Sequence, residues 1–339
     1  MFVVDDFDKK KKVTERNRVL TGHYSGELWG LAVHPHDKYF ISVGDDAVAR
    51  LFDVVERRHI RSVKLPQKCR AVAYSHSGTK VVFAWYEGKL FLYNSSLEKE
   101  YQQVSTGLNR ANQWVEDIKF SPDDRFVAFG YHGGVSKVVV YQLKNSKLSL
   151  YGKINAGLTS ALLHLDWSKD SSALVVNSQA YELKFVNVQS KSVIRASGAK
   201  DIEWHSWTCK LGFPVQGIFP GVDGTDVNTV CRSHNERLLA TGDDFQLVKL
   251  FKFPSVTKKS EFKAYLGHSS HVTGVQFMMN DNFLVSVGGN DKTSIVWTTD
   301  FGTSHKKLES SRQPLALKDG NREEWEDEDD FVHKKSLRH

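Results

Sequence analysis

One pattern recurs along this chain and restricts its fold more than any other feature: an alternating apolar run, a short polar turn and a second apolar run. It reads "LWGLAVHPHDKYFISVG" at 28–44, "RAVAYSHSGTKVVFAW" at 70–85 and "VEDIKFSPDDRFVAFG" at 115–130. It returns as "LLHLDWSKDSSALVVN" at 162–177, "VNTVCRSHNERLLATG" at 227–242 and "VTGVQFMMNDNFLVSVG" at 272–288. Alternation followed by a turn of Pro, Gly, Asn, Asp or Ser, and then by a β-rich run, is the signature of a hairpin. Most units close with a third strand such as "KLFLYN", "KVVVYQL" or "VKLFKF". A lone twisted sheet of this size cannot bury both faces, whereas sheets packed side by side around a ring cover one another.

The turns begin at His34, Ser75, Ser121, Ser168, Ser233 and Met279, so the steps are 41, 46, 47, 65 and 46 residues. Four of the five steps lie near the roughly 40–45-residue period of a WD40 blade, which is one four-stranded sheet per repeat. No segment shows a capped helical period, so successive hairpins are favoured over βαβ units. The expectation is an all-β, WD40-type β-propeller with six clear blades. The 65-residue step holds "SGAKDIEWHSWTCKLGFPVQGIFPGVDGTD" at 197–226, with room for two or three further strands. An irregular seventh blade is therefore expected, built from this insert or from the N-terminal segment. The domain plan is a charged arm over 1–18, the propeller over 19–301 and a disordered tail over 302–339. That tail carries seven acids between Glu323 and Asp330, a composition that cannot build a core.

Composition narrows the function classes. The chain has 339 residues and 40% hydrophobic side chains, enough for a sizeable core without disulfide or metal staples. Cys69, Cys209 and Cys231 form no CxxC pair, which fits a reducing compartment and argues against a zinc module. The formal charge of +6 is spread as on an ordinary solvated surface, and nucleic acid is not implied. No apolar run approaches the ~18 residues of a membrane span. The charged start "MFVVDDFDKKKK" does not suit a secretory signal. A soluble intracellular protein with no membrane partner is the expectation.

The polar motifs read first as structure. The last unit carries His268 after Gly267, then Ser286, Asp291 and Trp297; the first repeats His23, Ser42 and Asp46, with Phe52 where the tryptophan stands. Such a set can form a buried relay in which every polar group is satisfied. It is not read as a hydrolase triad, because it recurs in two blades and no G-x-S-x-G elbow exists. His268 and His271 lack a third ligand, and "GYHGGVSK" at 130–137 lacks phosphate-loop spacing. No catalytic residue, metal or cofactor is expected. Two places are candidates for meeting a partner. One is the insert, with Trp204, Trp207, Phe213, Phe219, Asp223 and Asp226, expected on the same face as the turns holding Asp46, Asp243, Asp244 and Asp291. Its aromatics serve either to cap the core or to form a docking platform, and loops this long are often functional. The other is the arm with Lys9, Lys10, Lys11 and Lys12, suited either to solvent or to an acidic surface.

Beyond these generic features the chain resembles a particular family. "GELWGLAVHP" at 26–35, "LLHLDWSKD" at 162–170, "KDIEWHSWTCKLGFPVQGIFPGVDGTDVNTVCRSHN" at 200–235, "LLATGDDFQLVKLFKFP" at 238–254 and "AYLGHSSHVTGVQFMMND" at 264–281 look like the second propeller of the echinoderm microtubule-associated protein-like family. The likeness spans about 19–300 in the same order. It implies a tandem-propeller fold that binds tubulin, in proteins that organise microtubules. From its start, the chain is expected to lack that family's coiled coil, basic region and first propeller. The resemblance implies a non-enzymatic propeller of the cytoplasm and cytoskeleton, or of a ciliary axoneme. Its partners would be tubulin, microtubules or microtubule-associated proteins. The alternative is a WD40 adaptor that recruits peptide substrates to a ligase or signalling complex, holding them in a central pocket lined by Arg or aromatic residues.

Overall fold

A computed structural model describes residues 2–3, 17–18, 22–85, 88–106, 114–132, 137–219, 226–258 and 260–299. Met1–Trp297 form one compact unit, and Thr298–His339 are a second of which only 298 and 299 are described. Lys9–Lys12, Asp223 and the acidic tail lie outside the described residues.

Two short strands come first, β1 (Phe2–Val3) pairing antiparallel with β2 (Asn17–Arg18). Then the six predicted units appear as six antiparallel sheets. Blade 1 is β3 (Leu28–Val33), β4 (Tyr39–Gly44), β5 (Val48–Asp53) and β6 (Arg58–Lys64). Blade 2 is β7 (Cys69–Tyr74), β8 (Lys80–Trp85), β9 (Lys89–Asn94) and β10 (Glu100–Ser105). Blade 3 comprises β11 (Trp114–Phe120), β12 (Phe126–His132), β13 (Lys137–Lys144) and β14 (Lys147–Asn155). Blade 4 has β15 (Leu162–Trp167), β16 (Ala173–Ser178), β17 (Leu183–Asn187) and a short β18 (Ser192–Ile194). Blade 5 has β19 (Val227–Arg232), β20 (Leu238–Asp243), β21 (Leu247–Lys252) and β22 (Phe262–Leu266). Blade 6 shows three strands, β23 (Val272–Phe277), β24 (Phe283–Gly288) and β25 (Ser294–Thr298).

The first strand of each blade lies innermost. β3 packs on β7, β7 on β11, β11 on β15 and β19 on β23, and β23 returns to β3. That last contact closes the ring, fastened by Gln276 Oε1 accepting from Val33 N at 2.9 Å and Gln276 Nε2 donating to the Leu31 carbonyl at 2.9 Å. The apolar core is a set of clusters between neighbouring blades, each burying large side chains such as Phe83, Trp85 and Phe91 between blades 1 and 2. At about 1.5–3 kcal/mol for each fully buried large apolar side chain, it is these interfaces that hold the blades together.

The hairpin turns between first and second strands clasp one another around the ring. Asp124, in the left-handed region with φ 57°, accepts from His76 N at 2.6 Å and Ser77 N at 2.7 Å in the preceding blade. Asp281, with φ 55°, does the same for His234 N and Asn235 N, both at 2.8 Å.

The junction between blades 4 and 5 departs from the sequence expectation. In place of two or three extra strands, the insert holds 3-10 turns at Ala196–Ala199 and Phe213–Ile218 and one isolated bridge, Ser168 to Trp204. No alternating run exists between 197 and 219 to make a sheet, and Gly212 with Pro214 breaks the chain direction. The insert wedges between the two sheets, packing Trp207, Cys209, Val215 and Ile218 against Val175 on one side and Val227, Val230 and Phe251 on the other.

Candidate functional site

The two His–Ser–Asp sets assemble as compact buried networks. In blade 6, His268 Nε2 lies 2.7 Å from Ser286 Oγ and Nδ1 lies 3.1 Å from Asp291 Oδ2, while Trp297 Nε1 donates to Ser286 Oγ at 2.8 Å. In blade 1, His23 reaches Ser42 Oγ and Asp46 Oδ1, both at 2.9 Å. Phe52 occupies the tryptophan position and stacks on Phe40, but its ring has no N–H to donate. Arg50, two residues earlier, adds a donor at a different point of the set, with Nη1 2.7 Å from Asp46 Oδ2. Burial lowers the pKa of both histidines. Burial works to raise Asp46, yet the hydrogen bonds and charges of His23 and Arg50 outweigh it and hold the carboxyl below its ordinary value. Ser42 and Ser286 are fully buried, so neither hydroxyl can meet a substrate. These networks pin the loop before each first strand to the turn after the second.

The insert residues separate by environment. Trp207 is buried, and Trp204 and Phe219 pack half-buried against the same cluster, so these three serve the core and offer no platform. Phe213 alone of the four aromatics projects, 73% exposed. Gly212 permits this bend: its φ is 148°, and a Cβ there would sit 2.2 Å from the Trp207 ring. Asp243 is also no partner contact, being 1% exposed and paired with Lys249 at 2.7 Å. Asp244 is exposed and accepts from Asn228 at 2.7 Å, and Asp226 is half-buried.

Nor does the insert sit on one face. It starts beside the hairpin-turn end of β15, where Lys169 N donates to the Glu203 carbonyl and His205 N to the Trp167 carbonyl. Leu211 N then meets Asn177 Oδ1 at the other end of β16. Between them it passes the axis side of the ring. Asp166 of blade 4 accepts from Ser206 Oγ at 2.5 Å, Thr208 N at 2.6 Å and Cys209 N at 2.9 Å. Lys119 of blade 3 also bonds Thr208. His205 reaches as far as His76 of blade 2, with ring centroids 4.4 Å apart. Burial, then the charge of His76, drives the His205 pKa down to about 4. Burial likewise takes His164, nearer the other end, to about 3.

A third group escaped the sequence reading. All six first strands carry a register shift at the same place, at 28/30, 69/71, 115/117, 162/164, 227/229 and 272/274. A bulge re-aims the side chain it carries. The residues so displayed are Trp29, Arg70, Glu116, Leu163, Asn228 and Thr273, all half-buried. Arg70 lies between two indoles, its guanidinium 3.8 Å from the Trp29 ring and 4.7 Å from the Trp114 ring. Trp114 in turn stacks on His132 at 4.2 Å and donates Nε1 to Glu116 at 2.7 Å. Cation–π contacts of this kind hold an arginine flat and leave its edge to make hydrogen bonds. Among the described residues no group of His, Cys, Asp and Glu could hold a metal ion, and no helix is long and apolar enough to cross a membrane.

Comparison with known proteins follows the same order of blades. Residues 28–299 match the family model described as the echinoderm microtubule-associated protein second beta-propeller. The chain is 36% identical over 297 residues to echinoderm microtubule-associated protein-like 1 of Homo sapiens, covering 84% of this chain and 36% of that protein. It is 34% identical over 298 residues to the 77 kDa echinoderm microtubule-associated protein of Strongylocentrotus purpuratus, covering 84% of this chain and 43% of that one. The chain thus spans well under half the length of these relatives. Among solved structures, a hydrazine synthase of Kuenenia stuttgartiensis superposes with a TM-score of 0.62 at 10% identity, over 80% of this chain and 95% of that one, a likeness of fold alone. With the family model covering every blade, this chain belongs to the echinoderm microtubule-associated protein family and corresponds to its second β-propeller.

Proposed function

We propose that this chain is a non-enzymatic microtubule-associated propeller that docks on tubulin or on proteins of a microtubule or axonemal assembly. The observation that carries the reading is the likeness over the whole ring to proteins named for microtubule association. The physics agrees with a docking role: a ring closed through buried networks presents its loops pre-organised, so little conformational entropy is lost on binding. The Lys9–Lys12 arm adds salt-screened attraction to an acidic surface. The working place is the cytoplasmic cytoskeleton or the axoneme. Co-sedimentation with polymerised tubulin tests the reading, with and without residues 1–18. Pelleting at low salt that weakens as salt rises supports it; no pelleting, together with no cytoskeletal location of a tagged chain in cells, ends it.

One observation favours a second reading, a WD40 adaptor that holds a peptide at the ring centre. Trp29, Arg70 and Trp114 meet from the first strands of three neighbouring blades and belong to none of the core clusters. Affinity purification separates the two, recovering tubulin and microtubule proteins in one case and subunits of a ligase or signalling complex in the other. Arg70→Ala should abolish the second kind of complex at a stability cost of only about 1 kcal/mol.

A further inference from the structure

Positive charge on this ring is gathered at one place. Residues 19–300 hold 32 Lys and Arg against 27 Asp and Glu, a net +5, and residues 56–70 alone hold six against one, also +5. The rest of the ring therefore balances to zero. The stretch is the rim of blade 1, where β6 is the outermost strand of its sheet and pairs with β5 on one side. Arg57, Arg58, Arg61, Lys64 and Lys68 are all exposed. The other fourth strands carry far less: Glu100 in β10, Lys147 and Lys153 in β14, Lys263 in β22 and no charge in β18. Charges on an open edge keep it from pairing with other chains, but one or two charges of either sign serve that end. Five like charges in one strip repel one another, and an acidic partner relieves them.

The backbone arranges the strip. Arg58 pairs with Asp53 and Arg61 with Leu51, two residues apart on β5, because Ile60 sits in a bulge between them. On a regular strand, residues three apart lie on opposite faces; here the two arginines share one. That face looks toward blade 2, since Leu51 belongs to the cluster packed between blades 1 and 2. There Arg61 Nη2 meets Glu98 Oε1 at 2.7 Å, the one ion pair that the five cations make among the described residues. Asp53 is already taken, by Lys38 at 3.0 Å and by the amides of Val55 and Glu56, both at 2.9 Å. The strip thus shows how it holds a carboxylate and has four more cations than carboxylates to pair with them. We infer that the rim of blade 1 binds an extended acidic segment of a partner protein, whose carboxylates pair with Arg57, Arg58, Arg61, Lys64 and Lys68. Guanidinium groups suit carboxylates because they pair with them bidentately, and an exposed pair such as Arg61–Glu98 exchanges readily. A nucleic acid fits less well, because residues 56–70 contain no Phe, Tyr or Trp on which a base could stack. The inference concerns this rim and holds whether or not the partner belongs to a microtubule.

Fluorescence anisotropy of a labelled poly-glutamate peptide of about ten residues, long enough to span β6, tests this with the full chain at low salt. Arg58→Gln/Arg61→Gln/Lys64→Gln should weaken binding at least about tenfold. Lys144→Gln/Lys147→Gln/Lys153→Gln removes the same charge from the outer strands of blade 3 and should change binding less than about twofold. Carbodiimide should couple the peptide's carboxylates to Lys64 and Lys68. If the first triple variant does not fold, Arg57→Gln/Lys68→Gln, both outside the strand, is compared in its place. Failure of the wild type to bind, equal weakening by the two triple variants, or tighter binding at the strip of a single-stranded oligonucleotide or of anionic lipid vesicles overturns the inference. Microtubule pelleting is a separate readout, so the strip and the proposed function stand or fall independently.

Discussion

Lys119 Nζ and Asp166 Oδ1 lie 2.8 Å apart, joining the innermost strands of blades 3 and 4 at the place where the insert crosses. Burial works to lower the lysine and raise the aspartate, yet the pairing prevails and each charge is held: Lys119 is raised and Asp166 lowered. Asp166 also receives the insert's backbone, so it is the point on which the wedge is fixed. Asp166→Ala leaves Lys119 and two N–H groups without their carboxylate, and should cost about 3–5 kcal/mol. Chemical denaturation gives the loss, and limited proteolysis should cut first between 203 and 219.

Core packing and display assign opposite outcomes to two aromatic residues of the insert. Trp207→Ala opens a cavity between blades 4 and 5 and should destabilise the chain by about 3–5 kcal/mol. Phe213→Ala removes an exposed ring and should stay within about 0.5 kcal/mol of the parent. Thermal melts decide this. A large loss from Phe213→Ala would show that the ring packs where the structure exposes it.

The extra donors of the two networks act on different members: Arg50 on Asp46 in blade 1, Trp297 on Ser286 in blade 6. Arg50→Ala leaves the buried Asp46 carboxylate without its counter-charge, with only His23 and the Val48 amide as partners, and should cost about 3–5 kcal/mol, as breaking a buried ion pair does. Trp297→Phe removes a neutral hydrogen bond to Ser286 and should cost only about 1 kcal/mol. Equal losses in the two variants, measured by urea unfolding, would contradict this division of roles.

Acid should act in two stages. His23, His76, His164, His205 and His268 have folded pKa values lowered chiefly by burial, so the unfolded chain takes up protons first. Stability is therefore fully present above about pH 6.5, the ordinary histidine value, and falls as pH drops below it. Asp46, Asp166, Asp281 and Asp291 are held below their ordinary value, and their contribution is lost below about pH 4 as they protonate. Asp117, raised by burial, works in the opposite sense. Melting temperature measured from pH 8 to 3.5 should decline from about 6.5 and steepen near 4. A flat profile down to pH 5 would contradict the buried neutral histidines.

The six hairpins were legible because alternation and turn residues are local signals, and the same holds for His268, Ser286, Asp291 and Trp297, which sit at fixed offsets within one unit. What the chain does across units was harder to read. The insert's aromatics look alike in sequence, and only the neighbouring sheets decide that Trp207 is covered and Phe213 is not. Arg50 carries no signal, since an arginine on an alternating strand ordinarily points to solvent. The convergence of Trp29, Arg70 and Trp114 depends on a backbone shift that leaves side-chain chemistry unchanged.

The carboxylate clasps between hairpin turns also bear on where this ring tolerates change in length. A residue added to the turn holding Asp124 or Asp281 would pull a bidentate acceptor off the amides of the blade before it, and two sheets would lose alignment together. Between blades 4 and 5 the turns meet through Lys169 and Glu236, 3.6 Å apart, and the wedge packs between the sheets. Growth and loss of chain are thereby steered away from these two turns, and the longest step between repeats lies at a joint outside both of them.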